Sequence, residues 1–220
     1  MPPRRKKQPA PKPRRKPAAH LLFIECQTSL LKKQSLAIAG GWHARLSSLY
    51  PEKKIILAAT DGRADLANRL GEFVQGGTRY RAVVIVAHSN HAGIKLTSED
   101  FCDWSQLATW LEPLAPEHLL LVACDAGRLT GVCTLFQSLP SLRTIYASPV
   151  PVAPQHAEFL DFLLLQLIGQ RRIDESVLRL TQFAAYLATK AVIFQWRRSD
   201  CQAHKSFEGH LLSIAAQFFK

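Results

Sequence analysis

A chain of 220 residues with 47% apolar side chains is long enough to bury one sizeable core, which excludes an intrinsically disordered protein. The net charge of +11 suggests a nucleic-acid binder until its placement is read. Arg4, Arg5, Lys6, Lys7, Lys12, Arg14, Arg15 and Lys16 crowd into the first 17 residues with six prolines and no acid, leaving +3 to the remainder.

Residues 1–19 are therefore expected to be a disordered, proline-rich basic tail, and residues 20–220 one folded domain. The tail offers nucleic acid a weak, salt-sensitive contact and lacks the apolar run of a secretion signal. No stretch reaches the roughly 18 uninterrupted apolar residues of a membrane span, so no membrane partner is expected. Cys26, Cys102, Cys124, Cys133 and Cys201 are odd in number and scattered, which argues for reduced thiols and a cytoplasmic location.

Residues 21–26 form a short apolar run suited to a first strand, and 35–49 show helical spacing up to the break at Pro51. Residues 54–59 predict a second strand. A helix follows over 63–74, with Leu66, Leu70 and Phe73 on one face and Gly76-Gly77 as its stop. The third strand, 82–87, is almost wholly apolar. Residues 101–114 predict a helix carrying Trp104, Leu107, Ala108 and Leu111, with Ser98-Glu99-Asp100 as capping material and Pro116 closing it. The fourth strand is 119–123. A short segment over 132–139 leads to a fifth strand at 144–147 and the stiff stretch Ser148-Pro149-Val150-Pro151-Val152. Helices over 155–168 and 174–189, a sixth strand over 191–196 and a last amphipathic helix over 211–219 complete the pattern. Alternation of this kind implies an α/β fold: a mostly parallel sheet of about six strands with helices on both faces.

Two polar residues punctuate this pattern. His88 ends the third apolar run and Cys124 ends the fourth, and side chains just past the carboxyl ends of neighbouring parallel strands converge on one crevice. A cysteine nucleophile needs a base to take its proton and backbone N–H donors for the oxyanion that forms on attack. His88 supplies the base, and the N–H groups of Ser89 and Cys124 are the candidate oxyanion donors. His91 puts a second imidazole in the same loop, but His88 holds the strand end. Glu25 and Asp61, each near another strand end, are possible acidic pocket residues. There is no Gly-x-Ser-x-Gly, no Gly-x-x-x-x-Gly-Lys and no Gly-x-Gly-x-x-Gly, and His88 with His91 lacks the further ligands of a zinc site. No metal or organic cofactor is expected.

The order of these motifs resembles the CHAT family of caspase-like cysteine proteases. The likeness is carried by Val86-Ala87-His88, by Ala92-Gly93-Ile94-Lys95-Leu96-Thr97 and by Leu120-Leu121-Val122-Ala123-Cys124-Asp125-Ala126-Gly127. It continues through Ile145-Tyr146-Ala147-Ser148-Pro149-Val150-Pro151-Val152 and the segments 159–169 and 176–179, so residues 20–197 are covered in order. The resemblance implies a caspase-like three-layer sandwich and a cysteine endopeptidase acting on protein substrates. It also implies regulation by a partner protein, in bacterial defence or signalling. The family usually carries Gly directly after the histidine, where Ser89 stands, and at Val122, two residues before the cysteine, caspases carry Gln and relatives Asp in the floor of the primary pocket, which makes Val122 a possible pocket residue. Those two positions motivate the alternative, a catalytically inactive caspase-like binding or assembly module.

Overall fold

The computed structural model describes residues 21–26, 35–77, 79–97, 99–151, 164, 193–203 and 207–216. The expected basic tail and most of the helical segments 155–168 and 174–189 lie outside the described residues; Leu164 is helical and fully buried.

Six strands form one sheet: β1 (Leu21–Cys26), β2 (Ile55–Thr60), β3 (Ala82–Val86), β7 (His118–Val122), β8 (Thr144–Ala147) and β9 (Phe194–Arg197), in the order β2-β1-β3-β7-β8-β9. The first five run parallel and β9 is antiparallel to β8. Runs such as Ala-Val-Val-Ile-Val in β3 are apolar at every position because a parallel sheet is covered on both faces. Leu22, Ile24, Val83, Ile85, Leu119 and Leu121 face α2 (Arg63–Gln75), α3 (Trp104–Leu111) and α4 (Leu129–Ser138). Leu21, Phe23, Val84, Val86, Leu120 and Val122 face the opposite layer, where α1 (Ser35–Leu49) contributes Ala39, Trp42 and Leu46. Those three recur at helical spacing, so α1 buries one stripe and leaves the rest to solvent.

The expected long helix over 101–114 is shorter. Residues Phe101–Asp103 are instead a strand, β6, of a small antiparallel sheet with β4 (His88–Asn90) and β5 (Gly93–Lys95). Asp103 is the true N-cap of α3, accepting from the Gln106 N–H at 2.8 Å. Asp100, expected to cap that helix, caps α2 from across the fold: its carboxylate accepts from the Arg63 N–H at 3.1 Å. The helical reading failed because Phe101 and Cys102 continue the apolar rhythm of α3 while pairing with β5. Gly93 is required there, since a Cβ would stand 2.1 Å from the Cys102 carbonyl oxygen.

The thiol expectation also needs correction. Cys133 on α4 and Cys201 on α5 (Arg198–Ala203) form a disulfide across 68 residues. Scatter in sequence did not forbid pairing, because α5 packs against α4: the Arg198 guanidinium donates to the carbonyls of Phe136 and Leu139 at that helix's end and lies over the Phe136 ring. Cys26 and Cys102 do remain thiols, and burial pushes each up to about 12. The last helix, α6 (Phe207–Ala216), begins four residues earlier than expected and is anchored by His210, whose ring stacks on Trp196 at 4.4 Å. No helix among the described residues is long and apolar enough to cross a membrane.

Candidate active site

Val86 of β3 and Val122 of β7 are in register, and the ladder extends one step further through the Ala87 N–H to the Val122 carbonyl at 3.3 Å. His88 and Cys124 each lie two residues beyond that registered pair, so they occupy matching positions at the carboxyl ends of adjacent strands. Adjacent strands stand about 4.8 Å apart, which puts the two side chains' backbones within reach of one crevice.

At His88 the chain turns into the β4–β5 hairpin. Asn90 and Gly93 close a two-residue turn, with the Asn90 carboxamide oxygen accepting from the Ala92 and Gly93 N–H groups at 2.8 and 3.2 Å. Ser89 pairs with Ile94 in the antiparallel register of that hairpin. His91 sits exposed at the hairpin tip with its carbonyl held by the Trp104 indole N–H at 3.0 Å. His88 is half-buried, and its Nε2 is buried with no hydrogen-bond partner among the described residues. Burial holds its imidazole below the ordinary histidine value, and the Lys95 ammonium, opposite in register, adds to the depression. His88 is thus set to be a neutral imidazole at neutral pH, able to accept a proton.

Cys124 is half-buried and carries a thiol. The turn after it is tight. Asp125 has φ of 56°, in the left-handed region, and its N–H donates to the Val150 carbonyl at 3.4 Å. Gly127 approaches the chain leaving β8 so closely that a Cβ would meet the Ala147 oxygen at 2.7 Å, and its N–H donates to the Ser148 carbonyl at 2.7 Å. Arg128 pairs with Asp125 at 3.2 Å on the outside of the turn. The Ser89 hydroxyl donates to the Cys124 carbonyl, joining the histidine loop directly to the cysteine loop.

The three candidate pocket residues are not equivalent. Glu25, Val86 and Val122 form one row across β1, β3 and β7, on the face covered by α1; Glu25 is fully buried there. Asp61 follows the edge strand β2, two strands away from β3, and is exposed with its N–H on the Asp65 carboxylate. Ser148, in the stretch expected to be stiff, is fully buried, its hydroxyl donating to the Val150 carbonyl at 2.7 Å and accepting from the Val150 N–H at 3.2 Å. The Ser-Pro-Val-Pro spelling was the available signal, since prolines without N–H groups leave their neighbours to side-chain partners.

Five parallel strands, an antiparallel sixth and helices on both faces, with the polar residues at the carboxyl ends of the central strands, define a caspase-like three-layer α/β sandwich. The particular likeness is to the X-ray structure of a secreted C11 cysteine protease from Bacteroides thetaiotaomicron, "iotapain": TM-score 0.59 at 11% sequence identity, covering 84% of this chain and 67% of that one. No protein-family model matches the chain, and no curated protein matches it.

Proposed function

We propose that the protein is a cysteine endopeptidase of CHAT type, cleaving protein substrates with Cys124 as nucleophile and His88 as proton carrier. The observation that carries the reading is the matched position of the two residues, each two beyond a registered pair on adjacent strands, with a buried His88 Nε2 that has no hydrogen-bond partner among the described residues. Neutral His88 takes the Cys124 proton as the sulfur attacks the scissile carbonyl, and the Ser89 and Cys124 N–H groups receive the developing oxyanion. The imidazolium then gives that proton to the leaving amine. Water, deprotonated by His88, hydrolyses the thioester and restores the thiol. No metal or cofactor takes part. Glu25, Asp61 and Val122 belong to the proposal as possible substrate-pocket residues, Glu25 and Val122 in one row across β1, β3 and β7 and Asp61 beyond the edge strand β2.

Regulation by a partner protein, a place in bacterial defence or signalling and a nucleic-acid contact through the basic residues 4–16 belong to the same proposal, supported by motif order and composition. A cytoplasmic site of action keeps only the odd cysteine count as support, since the disulfide counts against it. The alternative, an inactive binding module, draws on the serine at position 89 and the valine at position 122.

Cleavage profiling over a peptide library, with and without cell lysate, tests the proposal on the wild type, Cys124→Ala and His88→Ala. The expected result is cleavage abolished by Cys124→Ala and reduced at least about 100-fold by His88→Ala, the ordinary worth of a general base. Wild-type protein that cleaves nothing, and whose Cys124 reacts with iodoacetamide no faster than an ordinary thiol, establishes the binding module instead.

A further inference from the structure

We propose that the Ser89 side chain is a positioning group for the nucleophile: its hydroxyl clamps the Cys124 carbonyl and thereby fixes the peptide plane on which the sulfur is mounted. The proposal rests on the cysteine-peptidase reading above and concerns the side chain, whereas the oxyanion role concerns the Ser89 backbone.

The peptide unit between Cys124 and Asp125 is held at both ends by different loops. Its carbonyl accepts from Ser89 Oγ, beside His88, and its N–H donates to the Val150 carbonyl beyond β8. Such a restraint is needed here. Asp125 sits at φ 56°, in the left-handed region that residues other than glycine adopt sparingly, so neighbours are needed to hold it. The Val150 side is rigid, because Ser148 is buried and bonded to both polar groups of Val150, and Gly127 is bonded to the Ser148 carbonyl. The Ser89 bond ties that rigid frame to the chain carrying the base, so it sets the distance between sulfur and imidazole. A glycine at position 89 leaves the peptide anchored on one side.

The clamp acts only where the thiol needs His88 to lose its proton. That dependence separates positioning from plain structural support. Full-length wild type, Ser89→Ala, Ser89→Thr and His88→Ala are alkylated with iodoacetamide at pH 7 and pH 10, and modification of Cys124 is followed by peptide mass spectrometry. One lost hydrogen bond of about 1.4 kcal/mol slows Ser89→Ala about tenfold at pH 7. Ser89→Thr, which keeps the hydroxyl, stays close to wild type, and all four proteins converge at pH 10, above the range in which thiols in general need a base to react. If Ser89→Ala matches wild type at pH 7 while His88→Ala is slow, the clamp is wrong and the dyad stands. Ser89→Ala that is slow at both pH values, or Ser89→Thr that fails to restore the rate, makes Ser89 a structural residue and also overturns the clamp. Should His88→Ala itself react like wild type at pH 7, the dyad fails and the clamp fails with it.

Discussion

His118 provides a test of the fold's electrostatics away from the crevice. It starts β7 at the amino end of the sheet, with Nδ1 2.6 Å from the Thr144 hydroxyl, and burial together with the Arg81 and Arg143 guanidinium groups lowers it to about 4 from 6.5. A histidine whose folded value is depressed binds its proton more readily in the unfolded chain, so its stabilising contribution is present above pH 6.5 and drains away as pH falls toward 4. The full difference corresponds to about 3 kcal/mol, of which roughly 2 kcal/mol is lost between pH 7 and pH 5. Urea denaturation of wild type and His118→Gln at both pH values isolates this residue, because every other titrating group is shared. Wild type should lose about 2 kcal/mol more than the variant over that interval. Equal losses in the two proteins would refute the burial argument, as would a variant that loses more.

Three further outcomes are expected. Replacing Lys95 by Gln removes the ammonium opposite His88, so the imidazole titrates at higher pH and the acidic limb of the Cys124 alkylation profile moves upward; an unmoved limb excludes Lys95 as a tuning charge. Gly127→Ala drives a Cβ to 2.7 Å from the Ala147 oxygen and the Ser148 carbonyl carbon, backbone atoms that cannot turn aside. A loss of about 1–3 kcal/mol in denaturation should accompany slower alkylation of Cys124, and unchanged values of both would mean the turn is looser than described. Reduction of Cys133–Cys201 releases a loop of 68 residues and should cost about 4 kcal/mol on the chain-entropy estimate; five titratable thiols in unreduced protein would show that no such bond exists.

Much of the fold was legible because parallel strands buried on both faces spell themselves as uninterrupted apolar runs. The stretches that became β1, β3, β7 and β8 admit little else, and Gly76-Gly77 after α2 is an equally plain stop. The positions of His88 and Cys124 followed from those runs, since register between β3 and β7 carries both residues to one level. What escaped was built from contacts between segments distant in sequence. The β4–β5–β6 sheet consists of three-residue strands, too short for alternation to register, and it absorbed the first residues of an expected helix. Asp100 was recognisable as a cap but not as the cap of α2, a helix that precedes it in the chain. The Ser89 bond to the Cys124 carbonyl and the anchoring of Gly127 on Ser148 depend on where three loops meet, which no local pattern encodes.

The strand order also bears on how the sheet can assemble during synthesis. β1, β3, β7 and β8 all precede β9, which adds at the outer edge and runs the other way. As the chain emerges from the ribosome, both strand ends bearing His88 and Cys124 can form before Phe194–Arg197 is synthesised. During that interval β8, buried at every residue in the finished fold, presents an open apolar edge on which any foreign strand could pair. In the finished fold β9 covers that edge, and the Cys133–Cys201 disulfide ties the helix that follows β9 to α4. The sixth strand therefore takes over the exposed edge from β8, and the disulfide fastens the chain just beyond it to the helical layer.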